Sequence, residues 1–223
     1  MQFLKPPSVG ADGIAVWVLG LKSTAALDVG LSVLSVAESD RAKAIARESK
    51  RQEFIAARVA LRLLIARYIG IDPKTIEFDR TTGPLNVSGY PIKCSVAHRH
   101  GRVAVAISPH YHFGIDLEKF RHRENELSGF EILFDRQYVP NVESGTFLAA
   151  WCELEALTKL RGTHLPKALT EWRQILNAIG LPGILPADRI HNEVRFSHWE
   201  PFPMWRLVLA SCKAATINIQ IDE

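Results

Sequence analysis

The hydrophobic period changes several times along the chain, and each change marks an element. Residues 14–19 (IAVWVL) form a short, nearly unbroken apolar run of strand length. Residues 38–69 carry no Gly or Pro, and Phe54, Ala57, Leu61, Leu64, Ile65 and Tyr68 recur at helical spacing. This predicts one long helix with a core face, ended by Gly70. Beyond Asp72-Pro73 the period drops to two. Residues 75–79, 92–97, 102–107 and 113–117 read as strands, the third alternating Val103, Val105 and Ile107 with alanines. Turns are expected at Thr81-Thr82-Gly83-Pro84 and at Ser108-Pro109. Residues 119–141 are charged and irregular, with a short helical piece around 130–134. Helices follow at 145–161, closed by Gly162, and at 167–179, where Trp172, Ile175, Leu176 and Ile179 face inward. Strands at 193–197, 205–211 and 215–221 finish the chain.

Helices and strands are mixed in both halves, and adjacent strands are joined by short turns, which predicts an α+β fold. A length of 223 residues suits two subdomains, placed at 1–110 and 111–223, although no sequence repeat relates them. With 47% apolar and 23% charged residues, the composition is that of an ordinary globular protein. No run approaches the roughly 18 apolar residues of a membrane span. The first residues lack the basic start and apolar stretch of a secretory signal. Cys94, Cys152 and Cys212 stand singly, without zinc spacing or a disulfide framework, so a cytoplasmic location is expected. The net charge of +3 divides unevenly, +6 before Gly114 and −3 from it onward. Such a division could hold a polyanion against a metal ion, and it also arises by chance.

Several side chains could carry chemistry. Asp116 and Glu118 flank Leu117, and residues two apart on a strand share a face. Two carboxylates so close repel unless a cation lies between them, and all-oxygen ligation suits Mg²⁺. The plainer reading is two solvated acids at a strand end. Trp151, Glu155 and Lys159 are spaced by four, so Glu155 can project as a third carboxylate with Lys159 one turn on. Their alternative is a surface Glu–Lys pair worth a few tenths of a kcal/mol. Phe147, Ala150, Leu154 and Leu157 form an adjoining arc expected to be buried. Arg47, Arg51, Arg58 and Arg62 lie on one helix stripe, either a phosphate-binding edge or a solvated face. His98, His100, His110 and His112 form two His-x-His pairs, but a strand of about 20 Å separates them. Walker-type loops and serine-hydrolase elbows are absent.

The order of these pieces resembles a family. A helix carries Phe54-Ile55-Ala56-Ala57-Arg58-Val59-Ala60-Leu61-Arg62, followed by Gly83-Pro84 and Val96-Ala97-His98. Gly114-Ile115-Asp116-Leu117-Glu118 comes next, and about 35 residues later Trp151-Cys152-Glu153-Leu154-Glu155-Ala156-Leu157-Thr158-Lys159. Over about residues 34–162 this is similar to the 4′-phosphopantetheinyl transferases of the longer, surfactin-synthetase-activating type. The resemblance implies two similar α+β subdomains packed as an intramolecular pseudo-dimer, with coenzyme A in the cleft. It implies Mg²⁺-dependent transfer of the 4′-phosphopantetheine arm to a serine of an acyl or peptidyl carrier protein. Asp116, Glu118 and Glu155 would ligate Mg²⁺, with Glu155 and Lys159 catalytic. His98 would contact the coenzyme phosphates, Lys159 the pyrophosphate, and Arg51 lies in the region that meets the 3′-phosphate. A monomer with no nucleic-acid or membrane partner is expected.

The chain departs from the family pattern at four places: Ala97 and Arg99 around His98, the missing lysine at Gly83-Pro84, Leu154 before Glu155, and the additional histidines. Two alternatives therefore stand beside transfer. One is a member that binds coenzyme A without transferring its arm. The other is a metal-binding or interaction module built on the histidine pairs.

Overall fold

A computed structural model describes residues 13–20, 30–79, 84–120, 144–178, 189–191, 193–213 and 215–222. The fold is α+β, with two sheets and four α-helices among these residues. The chain divides into two compact units. The first comprises Met1–Arg80, Leu85–Tyr111 and Ala215–Glu223, the second Thr81–Pro84 and His112–Ala214. The last strand therefore does not stay with residues 111–214, as a simple cut at 110 would have it. It pairs in parallel with the first strand, Gly13 opposite Thr216 through Leu19 opposite Asp222. No helix among the described residues is long and apolar enough to cross a membrane.

In the first unit β1 (Gly13–Gly20), β2 (Phe78–Asp79), β3 (Leu85–Val87), β4 (Ile92–Arg99), β5 (Arg102–Ser108) and β10 (Thr216–Asp222) form one sheet. Its order is β10-β1-β5-β4-β3-β2. Helices α1 (Val36–Ala44) and α2 (Glu48–Ile69) complete the unit. Ala57, Leu61 and Ile65 of α2 share a core with Ala15, Trp17, Val103, Val105 and Ile107, the face expected from their spacing. Residues 75–79 are strand only at Phe78–Asp79. Pro73–Thr75 forms a 3₁₀ turn instead, capped by Asp72, whose side chain accepts from the Lys74 amide. Residues 81–83 of the expected turn and 121–141 of the segment expected to be irregular lie outside the described residues.

The single helix expected over 38–69 is two. Ile45 and Arg47 are extended, with φ/ψ of −79/106° and −82/114°. The cause is a contact that a continuous helix could not make. Glu38 and Arg62 would stand roughly 36 Å apart on one rod, yet Arg62 Nε donates to Glu38 Oε2 at 2.6 Å. Folding back also gives α1 its start: Ser35 caps it reciprocally with Glu38. Arg62 is 1% exposed and donates further to the carbonyls of Pro73 (2.7 Å) and Ile76 (3.0 Å). It pins α1, α2 and the 3₁₀ turn together. Arg62→Met is expected to cost about 3 kcal/mol in urea unfolding, since a buried carboxylate would keep only the Ser35 amide and, as its cation, the more distant Arg58. A loss below about 1 kcal/mol would show that the network contributes little.

The second unit holds a sheet of order β6-β9-β8-β7: β6 (Phe113–Lys119), β9 (Trp205–Ser211), β8 (Val194–Trp199) and β7 (Arg189–His191). Helices α3 (Ser144–Arg161) and α4 (Leu165–Ala178) cover one face. Their buried residues include Ala150, Leu154 and Leu157 of α3 and Trp172, Ile175 and Leu176 of α4, packed on Val208, Ala210 and Phe196. Ile179 lies outside the described residues. Gly162 closes α3 at φ 58°, the left-handed conformation of a glycine cap.

The two units share a topology that no sequence repeat revealed. In each, a first strand leads through a long helix to an antiparallel hairpin, and the second hairpin strand lies antiparallel beside the first strand. The series is β1, α2, β4, β5 in the first unit and β6, α3, β8, β9 in the second.

Candidate functional site

The site is built where α3 crosses β6. Gly114 is the point of contact: a side chain there would run into the Ala156 carbonyl and come within 2.5 Å of the Leu160 amide and 2.9 Å of Lys159 Cβ. Strand alternation puts Asp116 and Glu118 on this same helix-facing side, while Phe113, Ile115 and Leu117 are buried on the other. Lys159 Nζ reaches down from α3 and donates to Asp116 Oδ1 at 2.9 Å and to the Ile115 carbonyl at 2.8 Å. Asp116 is only 7% exposed, and its buried Oδ2 receives nothing from Lys159; besides the ammonium, the carboxylate has only the weak Cys152 thiol as a hydrogen-bond donor among the described residues.

Glu155 stands one helical turn before Lys159, half-buried. Burial, and then the Asp116 charge, push its carboxyl above the usual range against the opposing pull of Lys159. Cys152, fully buried, has its thiol pushed well up by burial and then by the charges of Asp116 and Glu118. The field of both strand carboxylates is therefore felt beneath α3. Lys159 meets Asp116, Glu155 feels the Asp116 charge, and Glu118 adjoins on the same strand face.

The donor chemistry fits a hard divalent cation in one respect. A buried carboxylate under-solvated by one ammonium and a weak thiol donor, and a second carboxylate repelled by it, are what such an ion would satisfy. The three carboxylates are not, however, gathered as a ready cage. Among the described residues no three His, Cys, Asp or Glu stand close enough to hold a metal. At Asp116 the cation in contact is the Lys159 ammonium.

The strain on Glu155 has a measurable sign. Its folded pKa is raised, so the folded state binds its proton more readily than the unfolded chain does. That contribution is present at acid pH and is lost as pH rises through the folded value. Glu155→Gln is thus expected to be at least as stable as wild type at pH 7. Its advantage should shrink as pH falls toward 4, in unfolding titrations across that range. A variant clearly less stable at pH 7 would contradict this electrostatic account.

His98 and Arg51 belong to the first unit. His98 lies near the end of β4, its Nδ1 3.6 Å from Glu53 Oε2 of α2, and Lys50 Nζ holds the same carboxylate oxygen at 2.8 Å. Burial works to raise the Glu53 pKa, but the Lys50 hydrogen bond and charge and the His98 ring outweigh it, so the carboxyl sits below its usual range. Arg51 pairs with Glu48 one turn away and is about a third exposed. The expected arginine stripe is not a uniform edge. Arg62 is interior, and Arg58 lies over the Phe54 and Phe78 rings at 5.7 and 6.0 Å with Glu38 3.8 Å away.

The four histidines do not converge. Arg99 pairs with Arg102, so His100 and Gly101 form a two-residue hairpin turn, with φ of 43° and 75°. His100 is a turn residue. His110 and His112 lie beyond the opposite end of β5.

No protein-family model matches the chain, and no curated protein matches it significantly.

One polar cluster escaped the sequence reading. Glu153, 1% exposed, accepts from Trp172 Nε1 at 2.8 Å, and its other oxygen lies 2.9 Å from His198 Nε2. The triad ties α3, α4 and β8 together. Its signal was available: Glu153 falls one turn from Ala150 and Leu157, and a carboxylate among buried apolar positions needs buried partners.

Proposed function

We propose that the protein is a Mg²⁺-dependent 4′-phosphopantetheinyl transferase that loads an acyl or peptidyl carrier protein from coenzyme A. One observation carries the reading. The two motifs on which the family resemblance chiefly rests, about 35 residues apart in sequence, meet in space as Asp116 against Lys159 at 2.9 Å. The duplicated strand–helix–hairpin topology also supports it, being what two similar halves of a pseudo-dimer require.

On this reading Asp116, Glu118 and Glu155 would hold Mg²⁺, which when bound supplies charge neutralisation for the coenzyme pyrophosphate. Lys159 would add a positive charge where the adenosine 3′,5′-bisphosphate departs. Glu155, or a water beside it, would take the proton of the attacking carrier serine. His98 and Arg51 would bind coenzyme phosphates, and Glu53 with Lys50 fixes the His98 neighbourhood.

The reading is tested by incubating the protein with coenzyme A, Mg²⁺ and apo carrier proteins and measuring carrier mass. A gain of one phosphopantetheine arm is expected, lost in Asp116→Asn. His98→Ala should weaken coenzyme A binding without unfolding the chain. Coenzyme binding with no mass gain on any carrier would favour the second reading, a binder without transfer. The lack of a ready three-carboxylate set is the observation on that side.

A further inference from the structure

Lys159 makes two short contacts at once, to the Asp116 carboxylate and to the Ile115 carbonyl. Its side chain is about 30% exposed, while that of Asp116 is about 10% exposed. The ammonium thus reaches from the margin of the site to cover a buried anion. The ammonium bonds only Oδ1, and the one other donor to the carboxylate among the described residues is the weak Cys152 thiol, so a buried anion is left under-solvated. Glu155 still feels the uncompensated field of Asp116. The site is neutralised in part, by a cation tethered to the helix that also carries the third carboxylate.

We propose that Lys159 is an internal counter-cation that holds the site closed in the free chain, and that a divalent cation enters by displacing it from Asp116. This rests on the reading of Asp116, Glu118 and Glu155 as a metal site and adds what that reading omits, the state of the site before metal arrives. The exchange is local. Lys159 has four rotatable side-chain bonds, its Ile115 contact is to a backbone acceptor, and its stem is anchored at the Gly114 crossing, where Lys159 Cβ faces the strand. Releasing it costs one charge-assisted pair and one hydrogen bond, and leaves the Asp116 carboxylate for the incoming ion. The displaced ammonium is then free for an anionic ligand, so metal entry arms the phosphate-binding group. Apparent metal affinity is the intrinsic affinity multiplied by the fraction of chains in which the lysine is not seated.

The test uses Mn²⁺ alone, without coenzyme or carrier, on the full chain. The ε-amine of Lys159 is labelled with acetic anhydride with and without Mn²⁺ and read by mass spectrometry against exposed Lys43 as the internal reference. Displacement predicts a rise in Lys159 labelling of about fivefold or more on saturation. In parallel, calorimetric titration of Lys159→Met is expected to give Mn²⁺ binding at least tenfold tighter than wild type.

If wild type binds Mn²⁺ while Lys159 labelling stays flat, the ion and the lysine coexist; the displacement idea then fails and the metal site stands. Wild-type binding without a gain in Lys159→Met likewise defeats it. Binding in Lys159→Met alone supports a fully seated lysine. If neither protein binds Mn²⁺, the metal reading itself fails and takes the displacement with it. Should Lys159→Met fail to fold, the labelling arm on wild type still decides.

Discussion

Gly114→Ala is expected to destabilise the second unit by at least about 3 kcal/mol, although the added group is one methyl. The methyl would meet backbone rather than a yielding side chain: the Ala156 carbonyl, and the Leu160 amide at 2.5 Å. Neither atom can move without shifting α3, whose apolar arc is locked into the sheet through Ala150, Leu154 and Leu157. Gly89 provides the contrast. Its φ is +77°, so alanine there is strained, but nothing lies within 4 Å of the new Cβ. Gly89→Ala should cost about 1 kcal/mol, the ordinary penalty of a left-handed alanine. Urea unfolding of the two variants side by side checks the ranking. Equal small losses would mean that α3 and β6 are not in the close contact on which the site depends. Any Gly114→Ala protein that folds should also lose the Lys159–Ile115 bond, because the helix must rise off the strand.

The parts of the fold that could be read in the sequence were those governed by local pattern. Ala57, Leu61 and Ile65 announced the core face of α2, and the arc of Ala150, Leu154 and Leu157 announced that of α3. The alternation of Val103, Val105 and Ile107 placed β5 to within a residue. Contacts distant in sequence were not legible. The break at residues 45–47 follows from Glu38 reaching Arg62, and no periodicity encodes that partnership. The short strands Leu85–Val87 and Arg189–His191 offer too few positions for a period to show. The return of residues 216–222 to β1 is a pairing across nearly the whole chain.

The same distinction governs the site. Spacing put Asp116 with Glu118 on one strand face and Glu155 with Lys159 on one helix face. Only Gly114 determines that the two faces meet, because glycine is the residue that lets a helix backbone approach a strand this closely. Sequence also could not show that Lys159 would contact Asp116 directly, which makes the site one of mixed charge rather than three bare acids. Arg62, expected on a phosphate-binding edge or a solvated face, and Glu153, for which spacing suggested no role, both sit beside apolar neighbours and are engaged with partners on other elements.

Leu154→Lys is expected to destabilise the protein by roughly 3–5 kcal/mol and to leave transfer no higher than in the parent. On the proposed reading this position separates transfer from coenzyme A binding alone, because the pattern of the family that the sequence resembles has a lysine there. Leu154 is wholly buried in the core that α3 and α4 form over the sheet, among Leu157, Trp172, Ile175 and Val208. The residue next along the helix, Glu155, is half-buried and feels the Asp116 charge, whereas Leu154 belongs to the core. A lysine there would have to bury an unpaired ammonium or pull α3 off the sheet to reach water. Glu153, the nearest buried acid in sequence, already accepts from Trp172 and contacts His198, and satisfying a new charge would break that arrangement. The measurement pairs urea unfolding with the carrier mass assay, using Glu155→Gln as the folded, transfer-dead comparison. A Leu154→Lys variant that is stable and gains transfer absent from the parent would reverse the conclusion. The native chain would then be a coenzyme binder in which leucine replaced a working lysine.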